Sequence, residues 1–287
     1  MSSLRALGRM LAVDARYGVR EVVGGFVTAL LLLVFLVAMF KFLTMQQDGS
    51  FRDVSFIDCF AGLFGGMSEF DPKHDSNFNL PASWLCVCLM GAFIVLSYPA
   101  QNLESVGIKQ CIAAQGRWCW WVSKCIWTVA CTFVYWVLAI AVALMASGIG
   151  GLSDGLTLSK ETVDALGLFA ATDCGAYEGA SGVLLFVFGI PIVLSALYLV
   201  QLAVSVNANP LIAFAVTTAL LFHAAYYLTP LSLGNYLMLV RSDLVIHNGV
   251  SAGIGIVSAV VLGALAVVVG GKVFARHDLL GKEQYGK

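Results

Sequence analysis

Six long apolar runs, separated by short polar connections, make up most of this 287-residue chain. Each run approaches the ~20 apolar residues that an α-helix needs to cross ~30 Å of hydrocarbon. The runs cover approximately residues 22–45, 82–100, 122–147, 181–206, 211–229 and 250–273. The sequence therefore predicts an all-α, polytopic integral membrane protein with six transmembrane helices, in which residues 1–287 form a single transmembrane domain.

The lysines and arginines lie on alternate connections, and this pattern predicts the orientation of the helices. Loops that are rich in these residues near a span stay in the cytoplasm, whereas acidic residues have little influence. Eleven of the 16 basic residues fall on one side of the predicted bundle, and these are Arg5, Arg9, Arg16, Arg20, Lys109, Arg117, Lys124, Lys272, Arg276, Lys282 and Lys287. Both termini are therefore predicted to be cytoplasmic in a cell membrane, either a bacterial inner membrane or a plasma membrane. The loops near 46–81, 148–180 and 230–249 are predicted to lie outside.

The stretch that precedes the first apolar run has a pattern of its own. At about 100° per residue, Arg5, Arg9, Arg16 and Arg20 fall within a sector of about 60°, and leucine, alanine and glycine occupy the opposite side. This is typical of a helix that lies in the membrane interface with its cationic side toward anionic headgroups. Residues 1–21 are therefore predicted to form an amphipathic in-plane helix. The alternative interpretation is an anchor that only fixes the topology.

Composition excludes several classes of partner. With 60% hydrophobic residues, 11% charged residues and a net charge of −1, the chain lacks the basic face that a nucleic acid would need, and its surroundings are the lipid bilayer. The eight cysteines have no spacing typical of a zinc or iron–sulfur site, so no metal site is predicted. Cys59 and Cys174 are the two that fall in predicted outer loops, and a disulfide between them would join the first outer loop to the second.

The most informative polar segment is the inner connection between the second and third runs. Tyr98-Pro99 ends a predicted helix, and residues 100–116 are too weakly apolar to span a membrane but fit a short cytoplasmic helix. A basic, tryptophan-rich stretch then opens the third run, from Arg117 to Trp127. One interpretation of this stretch is an aromatic belt at the inner leaflet with snorkelling cations. A docking role is the other, and the two are compatible.

This stretch also resembles a known family. Gln115-Gly116-Arg117-Trp118-Cys119-Trp120-Trp121-Val122-Ser123-Lys124 is similar to the cytoplasmic start of the third span in ABC transporter permeases of the type-2 exporter class. The resemblance extends to the six runs, the two inner termini, the in-plane N-terminal helix and the basic C-terminal end, here Phe274-Ala275-Arg276-His277-Asp278-Leu279-Leu280. It covers the whole chain in architecture but only about ten residues in motif.

The resemblance implies a half-transporter whose motor is a separate ABC ATPase subunit. ATP and Mg²⁺ would then be bound by that partner, and this chain would bind no cofactor and have no catalytic residue. The segment between the second and third runs would be the coupling segment that docks on the ATPase, with Leu103, Glu104, Lys109, Gln110, Gln115 and Arg117 as its contact residues. Two permease subunits, identical or similar, would line the translocation path, and the outer hairpin Pro230–Asn248 would be partly re-entrant. In agreement, the chain has no phosphate-binding loop, because Gly270-Gly271-Lys272 lacks both the preceding glycine spacing and the following hydroxyl.

Polar residues inside the predicted spans are few, and no carboxylate lies near the middle of one. Ion-coupled carriers usually keep an ionisable residue there, so its absence favours an external energy source. Gln201, Asn207, Thr217 and His223 are candidates for the substrate path, and a helix-contact hydrogen bond is the alternative for His223. The apolar interior suits a hydrophobic or amphipathic cargo such as a peptide, lipid or drug. Pro191 should kink its span, and a neighbouring helix must then satisfy the carbonyl that it frees.

Two other functions are compatible with parts of the sequence. Gly179-Ala180-Ser181-Gly182 matches the G-x-S-G of rhomboid intramembrane proteases, and His247 lies outside before the last run. This match departs from the rhomboid pattern, because the second run has no histidine or asparagine for an oxyanion and the glycines after His247 are displaced. Gly-Ala-Ser-Gly is also a common close-packing sequence in membrane helices. A non-catalytic membrane assembly subunit is the other alternative.

Overall fold

The computed structural model describes residues 2–48, 54–70, 78–102, 117–148, 162, 166, 180–243, 245–246 and 249–276. Over these residues the fold is helical. It consists of α1 (Ser2–Asp48), α2 (Phe56–Phe64), α3 (Ala82–Asn102), α4 (Arg117–Ser147), α5 (Ala180–Asn207), α6 (Pro210–Tyr226) and α7 (Ala252–Arg276), with two short 3-10 helices at Leu233–Leu237 and Leu239–Arg241. The prediction of an all-α fold is confirmed for the part of the chain that is described.

Five helices in the described ranges are long and apolar enough to cross a membrane, namely α1, α3, α4, α5 and α7. The chain is thus suited to a multi-pass position in a membrane. The helix α6 is apolar as well, but it has only 17 residues and is about 25 Å long. It begins at Pro210, where the side chain of Asn209 accepts a hydrogen bond from the amide of Leu211, and it ends at Tyr226. The predicted fifth span, 211–229, is therefore shorter than expected, and the predicted count of six spans is not confirmed.

Packing contacts show how the chain passes through the bundle. Helices α5 and α7 run parallel, because Gly189 lies against Ile256, Gly263 against Ala196, and Gly270 against Ala203. Two parallel helices require the chain between them to return, and α6 makes this return. Small residues on the inner face of α7 allow the close approach of α5, as in other membrane helix pairs.

Helix α1 is continuous from Ser2 to Asp48. Its 47 residues correspond to about 70 Å, more than twice the thickness of the hydrocarbon core. The N-terminal stretch is helical, as predicted, but no break separates residues 1–21 from the first span. Instead Met10, Asp14, Gly18 and Val22 are buried at successive turns of one helix face.

The bundle has two chemically different ends. At one end, which we call the basic end, Met10 packs in one cluster with Trp120, Trp121 and Phe274, so the beginning of α1 and the end of α7 lie together. At the other, the hairpin end, α2 and the two 3-10 helices lie next to the start of α3. Lysine contacts mark both ends of α4: Lys124 pairs with Asp14 near its start, and the carbonyl of Ala146 near its end accepts from Lys41 at 2.7 Å. These two levels are separated by about 33 Å of helix, close to the thickness of a hydrocarbon core.

The hairpin end contains a helix that the sequence analysis missed. The stretch 46–81 was predicted to be a polar outer loop. Its described part includes α2, in which every residue from Phe56 to Phe64 is buried. The side chain of Ser55 accepts from the amide of Asp58, and the Asp58 carboxylate accepts from the amide of Ser55, forming a capping box. The rings of Phe56, Phe60 and Phe64 contact one another along one side of α2.

The hairpin that was predicted to be outer is buried from Gly234 to Ser242, and one arginine holds it in place. Each of the three guanidinium nitrogens of Arg241, which is 0% exposed, donates hydrogen bonds. The acceptors are the carbonyls of Met67, Ser68, Ala224, Ala225 and Tyr227 and the side-chain oxygen of Asn235. Three of these carbonyls belong to the last turn of α6 and its cap. Carbonyls at the end of a helix have no N–H donor within the helix. These backbone carbonyls are therefore satisfied by protein, which is the condition that backbone at membrane depth must meet.

The expected rescue of the carbonyl freed by Pro191 is confirmed. Proline has no amide hydrogen, so the carbonyl of Val187, four residues earlier in α5, lacks its helical donor. The indole Nε1 of Trp136 on α4 donates to this oxygen at 3.1 Å. The hydroxyl of Ser195 in turn donates to the carbonyl of Pro191 at 2.6 Å. Helix α5 continues through the proline.

Candidate functional site

A buried ion pair lies at the basic end, where α1, α3 and α4 meet. Lys124 Nζ is 2.5 Å from Asp14 Oδ1, and the two side chains are 0% and 2% exposed. The hydroxyl of Tyr98 donates to the same oxygen at 2.8 Å, and the hydroxyl of Ser123 donates to Asp14 Oδ2. We call Asp14, Tyr98, Ser123 and Lys124 the Asp14 cluster. One carboxylate of α1 thus accepts from one side chain of α3 and two of α4.

Aromatic rings replace water around the ammonium group of Lys124. The Nζ atom lies 4.3 Å from the centroid of the Tyr98 ring and 5.4 Å from that of Trp120. Cation–π contacts of this kind gain strength where water is excluded. Burying an ion pair costs desolvation free energy, and it is tolerated when hydrogen bonds satisfy both partners. The cluster provides these bonds, so removing one charge would leave the other uncompensated.

Further contacts surround the Asp14 cluster and fix the two helix ends next to it. The indole Nε1 of Trp120 donates to Asn102 Oδ1 at 3.1 Å, which joins the last residue of α3 to the first turn of α4. Trp127 packs on Tyr98 with ring centroids 5.1 Å apart. The rings of Trp127 and Tyr98 face Gly18 of α1, where a Cβ atom would lie 2.6 Å from Cζ2 of Trp127. The three helices therefore pack here without spare volume.

The same stretch of α4 also holds the end of α7. The Arg117 guanidinium donates to the carbonyl of Ala275 at 2.8 Å, and the indole Nε1 of Trp121 donates to that of Val267 at 2.8 Å. Gly270 and Gly271 form a notch that receives the rings of Trp118 and Trp121. The glycines that lack a phosphate-binding pattern in the sequence thus serve as a packing surface.

Most of the predicted coupling segment lies outside the described residues. This applies to Leu103, Glu104, Lys109, Gln110 and Gln115, so their docking role stays a prediction. Arg117 is described, and it is half-buried and bonded to the end of α7. The structure does place the two flanks of this segment, the end of α3 and the start of α4, side by side through the contact of Asn102 with Trp120.

The four candidates for the substrate path do not come together. Gln201 is buried and donates to the carbonyl of Ala92 at 3.4 Å, and Thr217 is buried and donates to a carbonyl of its own helix. Asn207 is half-buried at the basic end and donates to the carbonyl of Ala203. His223 faces outward and packs on Tyr227 with centroids 5.2 Å apart. These contacts are typical of helix packing. The four residues do not line a common cavity.

A shallow apolar groove of about 250 Å³ lies instead between the middle parts of α4, α5 and α7. Its floor consists of small residues, including Ala196, Ala259 and Gly263, and its rim includes Phe133 and Val260. The remaining lining residues are Val129, Ile192, Ser195, Leu199, Ala264 and Val267. The hydroxyl of Ser195 donates to a backbone carbonyl, so the groove presents an almost wholly apolar surface.

The other predicted sites are only partly described. Cys59 is a buried thiol of α2, and burial raises its pKa to about 11. Its predicted disulfide partner Cys174 lies outside the described residues, as does His247 of the protease alternative. Ser181 lies in the first turn of α5. Among the residues that the structure describes, no group of three histidine, cysteine or acidic side chains could hold a metal ion.

Sequence reasoning missed Asp14, the centre of this site. Its signal was present, because Asp14 lies about 150° from the arginine sector on the helical wheel and so falls on the otherwise small and apolar face. A lone carboxylate on a packing face calls for a cationic partner. The partner, Lys124, is 110 residues away in the chain, and only the packing of α1 on α4 identifies it.

Searches with protein-family models, against curated proteins and against solved structures gave no match for this chain.

Proposed function

We propose that this chain is the membrane-spanning permease subunit of an ATP-driven ABC exporter in a cell membrane, and that a separate ATPase subunit, which binds ATP and Mg²⁺, docks on segment 103–116. The observation that supports this proposal is the construction of the basic end. Side chains of one stretch, 117–124, fix three other helices: Lys124 holds α1, Trp120 holds α3, and Arg117 with Trp121 holds α7. A segment that begins and ends on such a frame can transmit force to the whole bundle.

The burial of the tryptophans distinguishes this frame from an ordinary aromatic belt. Rings of a belt lie at the membrane surface and contact headgroups. Trp118 is 44% exposed and fits that role, but Trp120 and Trp121 are 0% exposed and lie inside the bundle. Lys124, which would snorkel to the surface in a belt, is buried in the ion pair. The stretch that resembles the permease family is therefore mainly a packing and anchoring element.

The polar side chains between the two ends support an external energy source. No Asp, Glu, Lys or Arg lies between residues 22 and 40 of α1, in α3, after Lys124 in α4, in α5 or before Lys272 in α7. Polar side chains in these parts are hydroxyls and amides, several of which are bonded to backbone carbonyls. A carrier driven by protons or sodium ions usually needs an ionisable residue at mid-depth. A permease driven by a separate ATPase does not.

The apolar groove favours a hydrophobic or amphipathic cargo. It lies on the side of the bundle at mid-depth, and apart from Ser195, whose hydroxyl donates to a backbone carbonyl, a ligand there meets small, aliphatic and aromatic side chains. Such a surface offers no hydrogen bonds to a polar solute, whose desolvation would be uncompensated. We propose that the cargo is a peptide, lipid or drug with a substantial apolar part, and that two copies of this chain or a pair with a similar permease form the path.

Affinity purification from native membranes in mild detergent, followed by mass spectrometry, tests the proposal. A nucleotide-binding subunit in stoichiometric amount is expected. Glu104→Ala should reduce its recovery several-fold, whereas the matched control Glu69→Ala, at the hairpin end, should leave it unchanged. Arg117 is a poor test of docking because its replacement also releases the end of α7. Purification of the chain without any ATPase would contradict the proposal.

A further inference from the structure

The Asp14 cluster lies between the predicted docking segment and α1, and this position gives it a second role. We propose that Asp14 joins the N-terminal half of α1 to the two helix ends that flank segment 103–116, so that these three pieces open and close as one cooperative unit. A partner bound to the segment then acts on α1 through this carboxylate. The linkage is a property of the chain alone, and the identity of the partner as an ATPase subunit rests on the proposed function.

The first step of the argument is the position of the partners along their helices. Tyr98 lies one helical turn before Asn102, the end of α3, and Ser123 and Lys124 lie about two turns after Arg117, the start of α4. Both flanks of segment 103–116 therefore reach the same carboxylate within a short distance. Among the described contacts, hydrogen bonds from α3 and from α4 to a side chain of α1 meet only at Asp14.

The second step is the cost of separation. Asp14 and Lys124 are buried, so moving either one away leaves an uncompensated charge in a low-dielectric environment. Tyr98 and Ser123 would lose a charge-assisted hydrogen bond in the same movement. Small displacements within the cluster are consequently disfavoured, and the three helices move together or separate completely.

The third step is the contact surface around the cluster. Gly18 of α1 has no room for a Cβ atom beside Trp127 of α4, and the same Cβ atom would lie 3.0 Å from Cε1 of Tyr98. A shift of Tyr98 or Trp127 therefore displaces α1 directly. The opposite side of this part of α1 carries the exposed arginines Arg5, Arg9, Arg16 and Arg20. A change at the docking segment would thus move the arginine side of α1 relative to the headgroups.

Hydrogen exchange of the chain in lipid nanodiscs tests the linkage with a matched pair of variants. Tyr98 and Tyr135 are both buried, and each hydroxyl donates one hydrogen bond of 2.8 Å, to Asp14 and to the carbonyl of Val87 respectively. Tyr98→Phe should accelerate exchange of the amides of residues 5–18 and 117–124 by roughly tenfold, because a hydrogen bond to a charged group is lost. Tyr135→Phe should leave residues 5–18 unchanged.

Two results would overturn the linkage: acceleration confined to α3 in Tyr98→Phe, or equal acceleration of residues 5–18 in both variants. Ser123→Ala provides an independent variant in case Tyr98→Phe does not fold. It removes one hydroxyl of α4 and should accelerate exchange near the end of α3 as well as in α1. Acceleration limited to α4 would contradict the cooperative unit in the same way.

The ATPase subunit recovered with the wild-type chain serves as the probe for transmission. Its addition should slow exchange of residues 5–18 in the wild type and in Tyr135→Phe, and this protection should be lost in Tyr98→Phe while the subunit stays bound. Full protection in Tyr98→Phe would refute transmission through Asp14. Recovery of no ATPase at all would instead refute the proposed function, and the comparison of the two tyrosine variants on the chain alone would still decide the linkage.

Discussion

Cationic side chains at helix ends are the most repeated device at the scale of single residues. Lys41 donates to a carbonyl in the last turn of α4, Arg117 to one in the last turn of α7, and Arg241 to three at the end of α6. The last carbonyls of a helix have no internal donors and carry the negative end of the helix dipole. In a bundle surrounded by lipid, where water is scarce, a cation from another segment both satisfies these carbonyls and fixes the position of the helix.

A double-mutant cycle tests the interaction of Trp136 with the carbonyl that Pro191 frees. Trp136→Phe should lower the free energy of unfolding, in detergent micelles, by about 1 kcal/mol more than packing alone explains, because Val187 loses its donor. In the background of Pro191→Ala, the alanine amide supplies that donor, so the extra cost should disappear. Equal costs of Trp136→Phe in both backgrounds would show that the hydrogen bond contributes nothing measurable.

Arg241 provides a second test at this scale. Arg241→Ala should lower the free energy of unfolding by about 3 kcal/mol or more, because several buried carbonyls lose their donor together. Arg241→Lys should recover only part of this loss, since an ammonium group has three donors and no planar fork. Burial lowers the pKa of Arg241 to about 10, partly offset by Glu69, so the group is predominantly charged up to about pH 9.

The pH dependence of stability follows from this lowered pKa. The unfolded chain binds the proton more tightly than the folded chain, so this group makes stability rise with pH only above pH 10. Between pH 5 and pH 9 the difference between wild type and Arg241→Ala should therefore be constant. Chemical unfolding at several pH values measures it, and a difference that decreases as the pH rises toward 9 would contradict the account.

At the scale of elements, the position of α7 depends on which of its glycines meet large neighbours. A Cβ atom at Gly270 would lie 2.6 Å from Cζ2 of Trp121 and 2.9 Å from Cβ of Ala203, whereas one at Gly263 would meet Ala196 at an ordinary 3.6 Å. Gly270→Ala should therefore cost about 1–3 kcal/mol of unfolding free energy by overpacking. Gly263→Ala on the same helix is the control, and it should be neutral or slightly stabilising. Equal effects would mean that the notch is not rigid.

The elements also show what the sequence can and cannot predict. Helices α3, α4, α5 and α7 were predicted to within about five residues, because length and hydropathy suffice, whereas α1 begins about 20 residues before its predicted span. The freed carbonyl next to Pro191 follows from covalent structure. The burial of α2 was missed, although Ser55 and Asp58 are spaced for a capping box before an apolar run. The pairing of Asp14 with Lys124 and the contacts of Arg241 depend on which distant segments lie close together in the fold. No local sequence pattern predicts that proximity.

At the scale of the whole molecule, the two ends of the bundle have different properties. The hairpin end is closed by α2 and by the buried hairpin. A capping box fixes the start of α2, and Arg241 fixes the hairpin. The basic end brings four helices together around residues 117–124 and the Asp14 cluster, and segment 103–116 starts and ends there. We therefore propose that the motor docks at the basic end and that the hairpin end has a structural role.

Site-specific photo-crosslinking in native membranes tests this assignment most directly. A benzophenone side chain is introduced at the position of Gln110, in the docking segment, or at that of Leu231, which is 93% exposed at the hairpin end. The account predicts a crosslink from position 110 to a nucleotide-binding subunit, identified by mass spectrometry, and none from position 231. The same subunit crosslinked from position 231, or no such subunit from position 110, would contradict the account.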